Sequence, residues 1–179
     1  MGRKIVVTSG KGGVGKTTLT ASLGIAIAET GKKVVLVDAD IGLNNLDVVL
    51  AVENKVVYDV LDVISGKCRL KQALIQDVDN PTLYVLPSAK IQDSPLITAC
   101  SFRNVVDALA LNFDFVIIDC PAGIDNGFHR AVSAATEAIV VTTPHISAVR
   151  DADKVLSILS GYCLMSVGLV VNRVRGDMV

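Results

Sequence analysis

Residues 10–17, Gly10-Lys11-Gly12-Gly13-Val14-Gly15-Lys16-Thr17, set four glycines and two lysines between a short apolar run at 5–7 and a helix-period pattern that begins at Lys16. Backbone N–H groups turn inward around an anion only through dihedrals that glycine tolerates and other residues resist. The helix start that follows adds unsatisfied N–H donors and the positive end of its dipole. The segment fits the G-x-x-x-x-G-K-[ST] phosphate-loop pattern, in the strand-then-helix context that the pattern requires. The predicted nucleotide-binding residues are therefore Gly10, Lys11, Gly12, Gly13, Val14, Gly15, Lys16, Thr17 and Thr18. Within them, Lys16 brings a mobile charge to the β- and γ-phosphates, the Thr17 hydroxyl ligates Mg²⁺, and Thr18 donates to the α-phosphate. Lys11 is a second cation that the general pattern does not require. It either stays solvated or reaches a phosphate, its own or one in a facing subunit.

The rest of the chain reads as alternating strands and helices. Apolar runs at 5–7, 34–37, 83–86, 115–118, 138–141 and 167–171 are rich in Val and Ile, and several are apolar throughout, which marks strands covered on both faces. Helical patterns fall at 16–29, near 57–65, 102–111, 127–135 and 147–159. The first places Leu19, Leu23, Ala26 and Ile27 on one face and closes at Gly31. The stretch 76–95 is the loosest, with Asp, Asn and Pro on either side of a strand. Aromatics are only 4 % of the chain, so the core must be built from Val, Ile, Leu and Ala. The predicted fold is α/β: a three-layer P-loop NTPase with a mostly parallel central sheet and helices on both faces. No linker or repeat divides residues 1–179, which read as one domain. The final strand runs into Asn172-Arg173 and six further residues with no closing helix, and the expectation is a domain lacking its C-terminal portion.

Three carboxylates stand at strand ends. Asp38 and Asp40 follow the second run, and Asp119 closes the fourth. Ligands of open parallel sheets bind beyond the carboxyl ends of the strands, where the phosphate loop also lies. Mg²⁺ takes few protein oxygens and keeps several waters. Asp119 is thus the candidate metal carboxylate, with Thr17; Asp38 belongs in the outer magnesium shell, and Asp40 is placed to orient the attacking water. Phosphoryl transfer depends mainly on positioning and charge stabilisation, so no strong base is needed. The catalytic candidates are Lys11, Lys16 and Asp40, and the implied cofactors are ATP and Mg²⁺.

Net charge is −1 with no basic run, which argues against a nucleic-acid surface. No stretch has the ~18 uninterrupted apolar residues of a membrane span, and the N-terminus has no signal-peptide apolar region, so a cytoplasmic location is expected. Cys68, Cys100, Cys120 and Cys163 form no CxxC pair and read as ordinary buried or semi-buried thiols rather than cluster ligands.

Taken together, 11–18, 37–47 (Val37-Asp38-Ala39-Asp40-Ile41-Gly42-Leu43-Asn44-Asn45-Leu46-Asp47) and 118–124 (Ile118-Asp119-Cys120-Pro121-Ala122-Gly123-Ile124) resemble the MinD family of septum-site-determining ATPases, a branch of the deviant Walker A (ParA–MinD) class. Segments 56–59, 83–88 and 149–153 extend the resemblance to essentially the whole chain. It implies a slow ATPase switch in which ATP joins two subunits face to face and Lys11 contacts the partner's nucleotide. It also implies that Asp40 and Asn45 lie in a first switch loop and 119–123 in a second, and that Asn172 reads adenine. Ser147, Arg150, Asp151 and Asp153 match the helix where a MinC-like division inhibitor and a MinE-like activator dock. In the family the dimer sits peripherally on the inner membrane through a C-terminal amphipathic helix, for which this sequence shows no basic amphipathic segment. His145 stands after Pro144 where the family usually carries glutamate, which puts any dimer contact there in question. The alternatives are a partitioning-type ATPase binding DNA nonspecifically, a metal-cluster carrier on the same fold, and a nucleotide-binding fragment without switching activity.

Overall fold

The computed structural model describes residues 1–42, 45–89 and 94–175. Leu43 and Asn44 of the first switch motif, residues 90–93 of the loose stretch and the last four residues lie outside that description. In chain order the elements are β1 (Arg3–Thr8), α1 (Lys16–Glu29), β2 (Val34–Asp38), α2 (Leu46–Val49), a 3₁₀ turn (Glu53–Lys55), α3 (Val60–Ile64), α4 (Leu70–Ala73), β3 (Ile75–Gln76), β4 (Leu83–Leu86), α5 (Ala99–Ala110), β5 (Phe115–Asp119), α6 (Asn126–Ala134), β6 (Glu137–Thr142), α7 (Ile146–Leu159) and β7 (Ser166–Val171). One sheet holds the seven strands in the order β3-β4-β2-β5-β1-β6-β7. Every pairing is parallel except β3 with β4.

Two apolar layers form because the strands point alternate side chains to opposite faces. Val6, Val35, Val37, Val116 and Ile118 join Phe102, Val106, Phe128, Val155 and Leu159 on the side of α5, α6 and α7. Val7, Val34, Leu36, Val85 and Ile117 join Ala21, Ala28 and Leu46 on the side of α1 and α2. The predicted three-layer architecture is therefore the observed one. Helix starts are fixed locally: Asp59 accepts N–H bonds from Leu61 and Asp62 while Asp62 accepts from Asp59, and Thr98 with Ser101 does the same for α5.

Several details differ from the sequence reading. α1 turns Thr20, Ala21, Gly24 and Ala28 to the sheet, Leu19, Leu23 and Ile27 flank that row, and Ala26 is exposed. Small residues win the inner face because the helix lies close to β2: a Cβ on Gly24 would stand 2.6 Å from Leu36 Cδ2. The loose stretch begins with the unpredicted β3, too short to carry a periodic signal. Cys100 and Cys163 are exposed rather than buried. At the far edge, β7 shows alternating residues to solvent on both faces, with Val167, Leu169 and Val171 about half exposed.

The close approach at Gly24 has a measurable consequence. Gly24→Val should lower the stability found by urea unfolding by about 1–3 kcal/mol more than Ala26→Val does. The second substitution carries the same β-branched penalty on the exposed side of the same helix.

Candidate nucleotide site

Three central strands bring the predicted residues to one end of the sheet. β5 lies between β1 and β2, and the pairing places Val7 opposite Asp119 and Asp119 opposite Asp38. β1 ends at Thr8, and the next turn of chain is the glycine-rich loop. Asp38 and Asp119 are register partners on neighbouring strands, 1 % and 2 % exposed.

The loop wraps into the start of α1. Gly15 precedes the helix at φ 98° with no side-chain cap, and Gly13 also has positive φ, at 76°. A Cβ at Gly15 would meet strain from that dihedral and a 2.5 Å contact with Asn172 Nδ2. The Asn172 amide donates to the Val14 carbonyl at 2.8 Å, so the residue after β7 braces the loop from behind. Gly10 lies directly against the α7 backbone at Asp151. The loop is thus seated between the sheet and the helix that carries Ser147, Arg150 and Asp153.

A cleft of about 390 Å³ opens above the loop, lined by Gly12, Gly13, Gly15, Lys16, Thr17 and Thr18, with Asp40, Asn45, Cys120, Ala122 and Arg173 opposite. Lys16, Thr17, Thr18 and Asp40 are thus gathered in one place. Val14 is buried in the core, and Gly10 and Asn172 support the loop from outside the cleft. Lys11 is exposed and does not line the cleft; its carbonyl accepts from the Ser9 hydroxyl at 2.7 Å, which fixes the backbone and leaves the side chain in solvent.

The carboxylates divide by environment. Asp38 Oδ1 accepts the Asp40 N–H at 2.9 Å, and Oδ2 accepts those of Asn45 and Leu46 at 3.2 Å each. Burial pushes its carboxyl up to about 7, against the pull of these three N–H groups, and the neighbouring Asp119 charge adds to the rise. Asp38 therefore ties both Asp40 and the start of α2 to the end of β2. Asp119 is raised by burial and held down by the Thr17 hydroxyl, the Lys16 ammonium and the Thr20 hydroxyl, the last donating at 3.3 Å. Asp40, half-buried and lining the cleft, is raised mainly by burial, lowered by Lys16 and raised again by Asp125. Cys120 is inert, its thiol pushed up to about 12 by burial.

Two participants escaped sequence reasoning. Asp125 caps α6, accepting from Gly127 and Phe128, and its charge reaches Asp40. The Ser/Thr/Asp/Asn N-cap preference at the start of α6 could have found it. Arg173, with φ 60°, lines the cleft and is marked in sequence only by following Asn172.

These residues fit a magnesium nucleotide. Two nearly solvent-free carboxylates meeting at one point are costly without a counter-charge, and among the described residues Lys16 supplies one at Asp119. Among the described residues no group of three His, Cys, Asp or Glu forms a metal cage. A cation at Thr17 and Asp119 would therefore complete its shell with phosphate and water, as magnesium does. Strand, glycine loop, helix-borne lysine and strand-end carboxylates define a P-loop nucleotide-binding domain.

Comparison with known proteins narrows the class. A family model described as an AAA domain matches residues 2–161. The putative septum site-determining protein MinD of Guillardia theta is 52 % identical over 179 residues, covering 100 % of this chain and 66 % of that protein. In the solved MinC:MinD cell division protein complex of Aquifex aeolicus, the matching chain is 44 % identical with a TM-score of 0.88, over 99 % of this chain and 71 % of that one. MinD of Pyrococcus horikoshii OT3, solved with Mg-ADP, is 37 % identical with a TM-score of 0.87, over 99 % and 72 % of the two chains. The chain belongs to the MinD family of septum site-determining proteins, and spans about two thirds of the length of the relatives it matches.

Because Asp38 accepts both N–H groups, Asp38→Ala should release the amides of Asn45 and Leu46. Hydrogen exchange there should quicken at least tenfold, the loss of about 1.5–3 kcal/mol expected for bonds to a charged acceptor. Amides in β5 should be unchanged.

Proposed function

We propose that this chain is a Mg-ATP-binding and hydrolysing switch domain that dimerises on ATP and acts in division-site placement. The observation that carries the reading is the convergence of the loop glycines, Lys16, Thr17 and Asp40 on one cleft, above the paired Asp38 and Asp119. Residues 1–179 act in it as one ATPase domain.

Bound ATP supplies the phosphoryl group and magnesium the counter-charge. The chain's own residues bind, orient and position. The loop N–H groups and Lys16 hold the phosphates, with Lys16 countering charge that develops on the transferring group. Thr17 and Asp119 hold the cation. Asp38, with both oxygens already accepting N–H bonds, is suited to act through water and to keep the first switch loop in place. Asp40, in the cleft and tied through its own N–H to Asp38, orients the attacking water. Asn172 is assigned to adenine by the family resemblance; here its amide braces Val14 from outside the phosphate cleft.

Lys11 has a separate role. An exposed lysine on the rim, outside its own cleft, is free to cross to the nucleotide of a second subunit, and a face-to-face ATP dimer gives it that target. The P. horikoshii relative was solved with Mg-ADP and the A. aeolicus relative with MinC. We extend both associations to this chain. A MinC-like inhibitor and a MinE-like activator would meet α7, where Ser147, Arg150 and Asp153 are exposed and Asp151 is half-buried in an ion pair with Lys154 at 3.3 Å. No described helix is long and apolar enough to cross a membrane; a cytoplasmic protein recruited peripherally to the inner membrane completes the proposal.

Molar mass by light scattering tests the switch. A slowly hydrolysed ATP analogue with magnesium should double the mass of the wild type, Mg-ADP should not, and Lys11→Ala should stay monomeric with both. A wild type that remains monomeric while demonstrably holding the analogue would exclude dimerisation within these residues.

A further inference from the structure

We propose that a second cleft, formed where α4 and β4 meet the end of α5, binds a small organic anion with an apolar body, independently of the nucleotide. The cleft encloses about 580 Å³, more than the nucleotide cleft, and lies within the roughly 300–1,000 Å³ usual for small-molecule sites. Its floor is apolar: Leu70, Leu74, Leu109, Tyr84 and Phe113. The Tyr84 and Phe113 rings meet edge to face, centroids 5.3 Å apart at 72°, and form a flat-sided aromatic corner.

The rim carries charge of one sign. Among the described residues Lys33, Arg69 and Lys71 line the cleft and no carboxylate does; the Asp114 carboxylate outside it accepts the Lys33 backbone N–H at 2.9 Å. Some cations of this protein find acids, as the exposed Lys67 does with Asp62 and the largely buried Lys4 with Asp107. Among the described residues these three make no ion pair. A ligand that is apolar at one end and anionic at the other matches both parts of this cleft, covering the apolar floor and making charge-assisted contacts with the cationic rim. A neutral apolar ligand would leave the charges unanswered, and a fully polar anion would leave the floor wet.

The position separates this cleft from the first. Lys33 immediately precedes β2 and Phe113 stands just before β5, whereas Asp38 and Asp119 end those same strands. The two clefts therefore lie at opposite ends of β2 and β5. Four strands separate β4 from the open edge at β7.

Sodium 2-naphthalenesulfonate serves as the probe, titrated into the ¹⁵N-labelled 179-residue chain with and without saturating Mg-ADP, beside the neutral 2-naphthalenemethanol. Amide shifts should gather at 69–74, 84 and 109–113, with an affinity unaffected by Mg-ADP. Arg69→Ala with Lys71→Ala should weaken sulfonate binding roughly tenfold, the loss of one or two charge-assisted contacts. The neutral probe should be weaker by a similar factor in the wild type, an outcome that stands even if the double variant fails to fold. No shift at the solubility limit, shifts confined to the phosphate loop or to β7, or equal binding of the charged and neutral probes would overturn the proposal.

Discussion

The parallel register of β1, β5 and β2 is the constraint on which the rest depends. It sets Val7, Asp119 and Asp38 side by side at one end of the sheet, so that a loop leaving β1 and carboxylates ending its neighbours face the same space. A slip of one residue would turn Asp119 away from Lys16, Thr17 and Thr20 of α1 toward the opposite face, since side chains alternate with a period of two. The register is held by the apolar layers on both faces. Val6 and Ile118 pack toward α5 and α6, and Val7 and Ile117 toward α1. Shape and chemistry are therefore set by the same residues.

From that register comes an electrostatic imbalance. Asp38 and Asp119 are desolvated together, and burial raises both. Lys16 offsets part of this from the start of α1, and the hydroxyls of Thr17 and Thr20 offset more of it at Asp119. Asp38 is answered differently, by the backbone N–H groups of Asp40, Asn45 and Leu46. That difference separates the roles: one carboxylate faces hydroxyls and a lysine, as a cation site needs, and the other holds the loop that carries Asp40. Asn172 adds a separate tie by bracing Val14, so the phosphate loop is held from the strand end after β7 as well as from the start of α1.

The glycine-rich loop, the six longer strands and the strand-end aspartates were legible in the sequence because each rests on local chemistry. A phosphate loop needs its glycines at fixed spacing, and strands buried on both faces read as unbroken Val and Ile. What stayed hidden depends on tertiary packing. The inner face of α1 follows small residues such as Gly24 and Ala28, because closeness to Leu36 outweighs hydrophobicity, and a periodic pattern of large residues points to the flanks instead. The two-residue β3 and the four-residue α2 and α4 are too short for periodicity to register. The contribution of Asp125 at Asp40 arises from two loops meeting across the cleft, which no spacing along the chain encodes.

The most direct test is calorimetric titration of Mg-ATP into the wild type and Lys16→Ala. The account predicts one nucleotide bound per chain by the wild type, with a dissociation constant raised at least tenfold, or binding lost, in Lys16→Ala while the fold is retained. Equal binding by the two proteins would contradict the placement of the nucleotide on the glycine-rich loop, and with it the reading of Asp38, Asp40 and Asp119 as one site.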